Sequence, residues 1–284
     1  MAKLVDFRKN PADLLKARSG FRLADVDPAA APGYSGGKKD GAALLAAQDD
    51  LLAGHQEQLF ASGRFGGKQS VLLVLQAMDT AGKGGIVSHV VGAVDPHGIQ
   101  HHAFKAPTPA EKRHDFLWRI RRQLPEPGML GVFDRSHYED VLIHRARGLS
   151  PLDVIEQRYE AIRAFEEELV AGGTRVVKVM LHISPEEQKR RLLKRLERTD
   201  KLWKYSPQDI KERAFWAQYM EAYQIAIERT STETAPWYVV PADRKWYARV
   251  AVQEILLGTL KAMDLKWPRP DFDVAEERRK ISLA

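Results

Sequence analysis

The chain has 284 residues, of which 44 are Lys or Arg and 38 are Asp or Glu, and its formal net charge is +6. With 44% hydrophobic and 29% charged residues, its composition is that of a globular protein and excludes disordered and fibrous classes. It contains no cysteine, no signal-peptide core and no apolar run of 18 residues, which excludes disulfide frameworks, thiol catalysis and membrane spans, so we expect a cytoplasmic enzyme without a membrane partner.

Short apolar segments alternate with helical patterns along most of the chain. Residues 1–40 are predicted to be an N-terminal extension, because 25–39 is rich in Pro, Gly, Ala and Lys. Apolar runs predict buried strands at 71–78, 128–133, 176–183 and 236–240. Apolar residues at helical spacing predict helices over 41–61, 110–124, 151–171, 211–229 and 247–263, before a C-terminal tail at 266–284. This alternation predicts one α/β domain over 41–265, with a parallel sheet and helices on both faces.

A glycine-rich turn with one lysine connects the first predicted strand to a helix that begins near Ile86. We call this turn, residues 76–85, the phosphate loop, because backbone N–H groups and a lysine at the start of a helix form a cradle for phosphate. The match to G-x4-G-K-[ST] is imperfect, since Ala77 replaces the first glycine and Gly84 the hydroxyl residue. A glycine-rich turn without chemistry is the alternative. The residues expected to bind phosphate are Thr80, Ala81, Gly82, Lys83, Gly84 and Gly85.

Two acidic residues are predicted to lie beside the phosphate loop. Asp79 is inside the loop, where it would repel phosphate unless a cation intervened, so it is interpreted as a Mg²⁺ ligand or an activator of the attacking group. Asp134 ends the next predicted strand, and ligands of open parallel sheets bind where the strands end. We expect Mg²⁺ between the two acids, with Arg135 offering its guanidinium to the transferred group. The alternative is an Asp134–Arg135 ion pair that caps a helix at Ser136.

The net charge of the chain is concentrated in one segment. Residues 189–204 contain eight basic and two acidic residues, a balance of +6. Ser184 and Pro185 predict the start of a helix here, and we call residues 185–213 the lid, which we expect to clamp a phosphate chain. An ordinary solvated helix face is the alternative. A second basic stretch, which begins at Lys105, favours a long polyanion over a nucleotide alone. The cations of the lid helix fall into two rows, Arg190, Lys194 and Arg198 in one and Arg191 and Arg195 in the other.

Four motifs in consistent order resemble the polyphosphate kinase 2 family over residues 40–265. They are Gln76–Gly85, Phe104–Thr108, Phe133–Asp140 and Ala235–Tyr247. The resemblance implies a P-loop kinase-like, three-layer α/β sandwich with a helical lid. It also implies Mg²⁺ as cofactor, with Mn²⁺ as a substitute, and phosphate transfer between inorganic polyphosphate and a nucleotide. Ser136–Leu142 resembles the branch of the family that accepts AMP as well as ADP, although that branch often has Asn where this chain has Asp134.

The same resemblance implies roles for individual residues. Asp79 and Asp134 would be paired catalytic acids that bind the metal, and Lys83 would be the lysine of the loop. Arg135 would be a catalytic contact to the transferred phosphate. The residues implied to contact polyphosphate or the transferred phosphate are Lys105, Arg190, Arg191, Lys194 and Arg195.

We therefore expect a phosphotransferase that converts ADP to ATP, with AMP as a second acceptor, by direct in-line transfer from polyphosphate. Its partners would be polyphosphate and these nucleotides, without nucleic acid, and we expect a homo-oligomer, either a dimer or a tetramer. The first alternative is a nucleoside monophosphate kinase that uses ATP as donor. The second is a nucleic-acid-binding module that uses the same basic segment, although only Trp203 and Tyr205 supply aromatic rings near it.

Overall fold

A fully parallel sheet forms from the predicted apolar runs and one further strand. The structure, a computed structural model, describes residues 4–284. All neighbouring strands pair in parallel, which confirms the predicted α/β class. Within the described residues the strands are β1 (Ser70–Ala77), β2 (Ile99–Ala103), β3 (Leu130–Asp134), β4 (Thr174–His182) and β5 (Trp237–Pro241), in the spatial order β2-β3-β1-β4-β5.

Helices cover both faces of this sheet. Helix α10 packs on α2 and α3 at one face, whereas α5 packs on α6 and α9 at the other, so the helices form the outer layers of the predicted three-layer sandwich. None of the helices in residues 4–284 is long and apolar enough to cross a lipid bilayer. In chain order the helices are α1 (Pro11–Leu15), α2 (Lys38–Arg64), α3 (Lys83–His89), α4 (Trp118–Arg121), α5 (Glu139–Ala146), α6 (Leu152–Ala171), α7 (Pro185–Leu196), α8 (Pro207–Arg213), α9 (Trp216–Thr230), α10 (Lys245–Ala262) and α11 (Val274–Leu283).

Strand β1 is central because its side chains are apolar towards both faces. Residues 71–75 are completely buried, as expected for a strand that helices cover on both sides. The register pairs Leu75 of β1 with Asp134 of β3, and Ala77 of β1 with Leu181 of β4. The loop after β1 therefore begins beside the last residue of β3, at the carboxyl edge of the sheet, where ligands of open α/β sheets bind.

The prediction of one helix over 110–124 is wrong. This segment contains a 3₁₀ turn at Glu111–Arg113 and a single helical turn, α4. His114 between them has an extended backbone (φ −111°, ψ 167°), and Asp115 Oδ1 accepts a hydrogen bond from the N–H of Leu117 (2.9 Å). The Asp side chain thus caps a new turn in place of a continued helix.

Two other elements differ from the prediction. The helix predicted over 211–229 is divided into α8 and α9, which meet between Arg213 and Trp216. Strand β2 was not predicted, because it lies at the edge of the sheet and its polar sequence (Ile-Gln-His-His-Ala) is partly exposed. Edge strands of this kind lack the apolar signal of a central strand.

Residues that precede α2 pack on the outer edge of β5. The N–H of Ala17 donates to the carbonyl of Trp237 (2.8 Å), and Lys16 forms an antiparallel bridge with Tyr238. Leu15 is buried beneath this contact. The segment thereby covers main-chain groups that an edge strand would otherwise expose.

A buried ion pair supports the end of β3 from inside the fold. Lys178 lies in the middle of β4 and is completely buried, and its Nζ is 2.5 Å from Glu166 Oε2 and 2.7 Å from the carbonyl of Thr230. The hydroxyl of Tyr138 donates to Glu166 Oε1 (2.8 Å). Because Tyr138 follows β3 by four residues, this network fixes the chain just beyond Asp134.

Removal of one partner of this pair should be far more harmful than removal of both. In Glu166→Leu the ammonium group of Lys178 is buried without a counter-charge, so we expect the free energy of unfolding to fall by about 3–5 kcal/mol. The double variant Glu166→Leu/Lys178→Met should recover most of that loss. Urea unfolding measures both, and Glu168→Gln, which breaks an exposed pair with Arg121, should cost less than about 1 kcal/mol. A double variant as unstable as Glu166→Leu would show that the charges are not the cause.

Candidate active site

The phosphate loop has a strained backbone at the point predicted for phosphate binding. Gly82 has φ +130° and Thr80 has φ +65°, and only glycine adopts the first value without strain. Among residues 4–284 the non-glycine residues with positive φ are Thr80, Arg135 and Asp264, so two of the three lie at the ends of β1 and β3. Strain of this kind persists where the surroundings hold it, often at functional sites.

The two predicted acids form separate ion pairs across the loop. Arg135 Nη2 lies 3.2 Å from Asp79 Oδ1, and Lys83 Nζ lies 3.7 Å from Asp134 Oδ1. The acids keep 30% and 27% of their side-chain surface exposed, so both remain accessible to a ligand. Arg135 therefore pairs with the acid of the neighbouring strand end and not with Asp134, the residue next to it in the sequence.

Burial and neighbouring charges act in opposite directions on the cation of this network. Burial alone lowers the pKa of Arg135, but the carboxylates of Glu139, Asp79 and Asp134 outweigh it and raise the pKa above its usual value. Burial raises the pKa of Glu139, against the opposing effects of Arg135 and Lys83. Arg135 is thus a permanent positive charge between acidic groups.

A cavity of about 590 Å³ opens in front of the loop. We call it the loop cavity; residues 79–86 and Asp134 line one side of it. The opposite sides are basic, and their density of positive charge suits a polyanion. The cations that line the loop cavity beside Lys83 are Arg195, Arg198, Lys201 and Lys204 of the lid and Lys245 and Arg249 of α10.

Several of these cations are not among the residues predicted from the sequence. Arg198, Lys201 and Lys204 lie in the basic segment but outside the predicted contacts, and Lys245 and Arg249 come from a distant helix. Lys245 lies inside the family motif Ala235–Tyr247, and its spacing of four residues from Arg249 was the available signal that the two share one helix face.

Two cations of α10 that line the loop cavity have lowered pKa values. Lys245 lines this cavity. Desolvation of its ammonium group and the neighbouring guanidinium groups of Arg191, Arg249 and Arg190 lower its pKa to about 8, although Glu187 opposes them. Burial also lowers the pKa of Arg249. The empty site disfavours the charged forms of these side chains, and a bound anion would stabilise those charged forms.

The predicted lid contacts divide into three groups. Arg195 lines the loop cavity, whereas Arg190 and Lys194 are exposed and, among the described residues, are not part of its lining. Arg190 forms a two-fold hydrogen bond to Glu187 instead (2.6 and 2.5 Å). Arg191 is buried and donates to the loop carbonyls of residues 80 and 81. The structure therefore places a protein contact where the sequence predicted a phosphate contact for Arg191.

Arg135 lines a second and larger cavity of about 900 Å³. We call it the large cavity. Phe104, Phe116 and Val154 contribute apolar surface to it, and Lys105 is also part of its lining. Lys105 is thus brought to the large cavity and not to the phosphate loop. The Asp79–Arg135 pair lies between the two cavities, because Asp79 lines the loop cavity and Arg135 the large one.

The family model described as Polyphosphate kinase 2 (PPK2) matches residues 37–268. The chain belongs to the polyphosphate kinase 2 family. It is similar to the AMP/ADP-polyphosphate phosphotransferase of Meiothermus ruber, with 43% identity over 251 residues, which is 88% of this chain and 92% of the relative. It is also similar to the ADP-polyphosphate phosphotransferase of Rhodopseudomonas palustris, with 41% identity over 256 residues and 84% of each chain.

The fold agrees with that of a solved member of the family. The crystal structure of polyphosphate kinase 2 from Arthrobacter aurescens TC1 superposes with a TM-score of 0.97 at 60% identity, over 99% of each chain. The predicted P-loop kinase-like fold and the predicted polyphosphate kinase class of enzyme are thereby confirmed.

Titration of Lys245 should make anion binding to the loop cavity depend on pH. Lys245 is cationic below its pKa of about 8 and neutral above it, so the affinity for tripolyphosphate should fall roughly three- to tenfold as pH rises from 7 to 9. Lys245→Arg keeps the charge and should hold the affinity nearly constant. Isothermal titration calorimetry on both proteins checks this. A parallel decline in both would contradict the assignment, because the loss would then come from another group.

Proposed function

We propose that this chain transfers the terminal phosphoryl group of inorganic polyphosphate directly to ADP, with AMP as a second acceptor. One observation carries the proposal: a cation-lined loop cavity and a larger, more apolar cavity meet at the Asp79–Arg135 pair. A phosphate chain and a nucleoside have those two chemistries. The names of the similar Meiothermus and Rhodopseudomonas proteins support the choice of polyphosphate and adenine nucleotides.

Polyphosphate would occupy the loop cavity. Its end would lie against the N–H groups of the phosphate loop and Lys83, and the chain would extend between the lid and α10. The lid supplies cations at nearly regular intervals, at residues 195, 198, 201 and 204, as suits a polymer with one negative charge in each unit. A nucleoside triphosphate would leave part of this charge uncompensated, which disfavours an ATP-dependent nucleoside monophosphate kinase.

The nucleotide would occupy the large cavity. Its volume lies in the range that small-molecule sites usually have, and aromatic side chains such as Phe104 and Phe116 offer surface to a base or ribose. Arg135, at the wall towards the phosphate loop, can donate to the terminal phosphate of the acceptor. Glu139 and Asp140 of the segment that resembles the AMP-accepting branch also line this cavity.

The residues at the loop fit Mg²⁺ if substrate phosphates complete its coordination. Asp79 and Asp134 offer two partly exposed carboxylates, and the Oγ1 of Thr80 is buried with no hydrogen-bond partner among the described residues. In residues 4–284 no group of three or more acidic or histidine side chains could hold a metal ion unaided. Mg²⁺ commonly binds through one or two carboxylates together with substrate phosphates. When bound, Mg²⁺ would screen the negative charges of donor and acceptor.

The proposed reaction breaks one phosphoanhydride bond and forms another. An oxygen of the acceptor's terminal phosphate attacks the terminal phosphorus of polyphosphate, whose bridging oxygen leaves with the shortened chain. Lys83 and the loop N–H groups hold the donor, and Arg135 holds the transferred group between the cavities. Positioning and electrostatic stabilisation carry such a transfer without a covalent enzyme intermediate. A cytoplasmic location and a homo-oligomeric assembly stay predictions.

Variants in the two cavities should affect the two substrates separately. Lys201→Gln/Lys204→Gln removes two cations from the loop cavity, and should raise the KM for polyphosphate roughly tenfold with little effect on that for ADP. Leu149 lines the large cavity, so Leu149→Trp partly fills that cavity and should raise the KM for ADP alone. The assay measures ATP formed from ADP and polyphosphate, without another donor, and is repeated with AMP.

Lys194→Gln is the matched control, because Lys194 is an exposed lid cation outside both linings. It should leave both KM values unchanged. Equal effects of the loop-cavity and large-cavity variants on both substrates would show that the two substrates do not occupy separate cavities. Failure of the unmodified protein to form ATP from polyphosphate would overturn the proposed donor itself.

A further inference from the structure

The first two turns of α7 form hydrogen bonds to the phosphate loop, a feature that the proposed reaction does not use. Gln188 and Arg191 project from α7 and are buried, with 1% and 5% of their surface exposed. Gln188 Nε2 donates to the carbonyl of Asp79 (3.0 Å). Arg191 Nη1 donates to the carbonyls of Thr80 (3.0 Å) and Ala81 (2.7 Å). One helix therefore holds three consecutive carbonyl groups of the loop.

The other N–H groups of Arg191 tie the loop to the end of β5. Its Nη2 donates to the carbonyls of Ala242 (2.6 Å) and Asp243 (2.9 Å), and its Nε donates to Glu187 Oε1 (2.6 Å). All five guanidinium N–H groups thus donate to protein acceptors. A guanidinium engaged in this way supports the structure around it and does not offer a fork to phosphate.

The start of α7 is itself fixed to the same segment. The side chain of Asp243 accepts from the N–H of Ser184 (2.8 Å) and from its hydroxyl (2.7 Å), and the N–H of Asp243 donates to the carbonyl of Pro28 (3.0 Å). Ser184 is the N-cap of α7 and accepts from the N–H of Glu187. Protein contacts alone therefore connect α7, the phosphate loop and the segment after β5 that Arg191 bridges.

The hydrogen bonds from Arg191 determine where the loop's N–H groups point. In a trans peptide the C=O and N–H groups point in opposite directions. Because the carbonyl of Ala81 points at Arg191, the N–H of Gly82 in the same peptide points away from it, and Gly82 lines the loop cavity. The strained backbone of Thr80 lies between the bonds from Gln188 and Arg191, which hold it in place.

We infer that Gln188 and Arg191 are positioning residues that hold the phosphate loop in its phosphate-binding shape, and that Arg191 acts through the loop and not on phosphate. This inference deepens the proposed function, on which it rests for its kinetic consequences. Arg195, one helical turn further along α7, provides the contrast, since it lines the loop cavity. Arg191 and Arg195 would then have different roles, although they lie in the same row of α7.

The variants Arg191→Gln and Arg195→Gln each remove one positive charge. Comparing them distinguishes a residue that holds the loop from a cation that attracts phosphate. Hydrogen–deuterium exchange of residues 78–84 should be roughly tenfold faster in Arg191→Gln, because the loop loses its carbonyl partners. It should be unchanged in Arg195→Gln. The salt dependence of tripolyphosphate binding should weaken by about one released ion in Arg195→Gln only. Turnover with ADP and polyphosphate should fall on the order of a hundredfold in Arg191→Gln, since the loop is misplaced.

The opposite pattern would overturn the inference: a weaker salt dependence in Arg191→Gln, with loop exchange as in the unmodified protein. If Arg191→Gln does not fold, Gln188→Ala provides the second test, because it removes one uncharged bond to the loop. It should accelerate loop exchange several-fold without a change in salt dependence, and unchanged exchange would reject the role. An unmodified protein that binds tripolyphosphate but transfers nothing would overturn the proposed function, while the exchange comparison would still decide the role of Arg191.

Discussion

Two alternating ion pairs at the carboxyl edge of the sheet, Asp79–Arg135 and Asp134–Lys83, form the interaction on which the rest of the site depends. Two unit charges 4 Å apart near a protein surface interact with about 4 kcal/mol, so acids and phosphates could not share this edge without the cations between them. The parallel register brings the four residues together, because it pairs Leu75, the residue before the phosphate loop, with Asp134. Of the two pairs, Asp79–Arg135 lies where the loop cavity and the large cavity meet, because Asp79 lines the first and Arg135 the second.

The positive charges of the lid fall into two groups with different surroundings. Arg195 and the cations that follow it line the loop cavity, where a long polyanion would bind. Arg191, four residues earlier, is buried and bonded to the loop's backbone. The part of the lid nearest to β4 is therefore hydrogen-bonded to the phosphate loop, whereas the part beyond Leu192 carries cations that line the loop cavity.

The sequence was most informative where local chemistry decides the structure. The apolar runs predicted four of the strands, and Ser184 and Pro185 predicted the start of α7. The loop motif led to Asp79 and Lys83, and the end of the next apolar run led to Asp134. The sequence could not distinguish Arg191 from Arg195, because the two share a row and only the packed fold shows which one meets backbone carbonyls. Lys245 and Arg249 were missed because folding alone brings α10 to the loop. Residues 110–124 were mistaken for a helix because the capping by Asp115 outweighed a helical pattern.

Direct transfer from polyphosphate to a nucleotide across the Asp79–Arg135 boundary is best tested with an acceptor that cannot act as a donor. In α,β-methylene-ADP the bond to the terminal phosphate cannot be broken, so two molecules cannot exchange phosphate as in adenylate kinase chemistry. We expect ³¹P NMR to show the corresponding methylene triphosphate with an equal loss of phosphate units from polyphosphate, and expect Asp79→Asn to abolish it. Formation of ATP from ordinary ADP, with AMP in equal amount and no triphosphate from the analogue, would contradict the account.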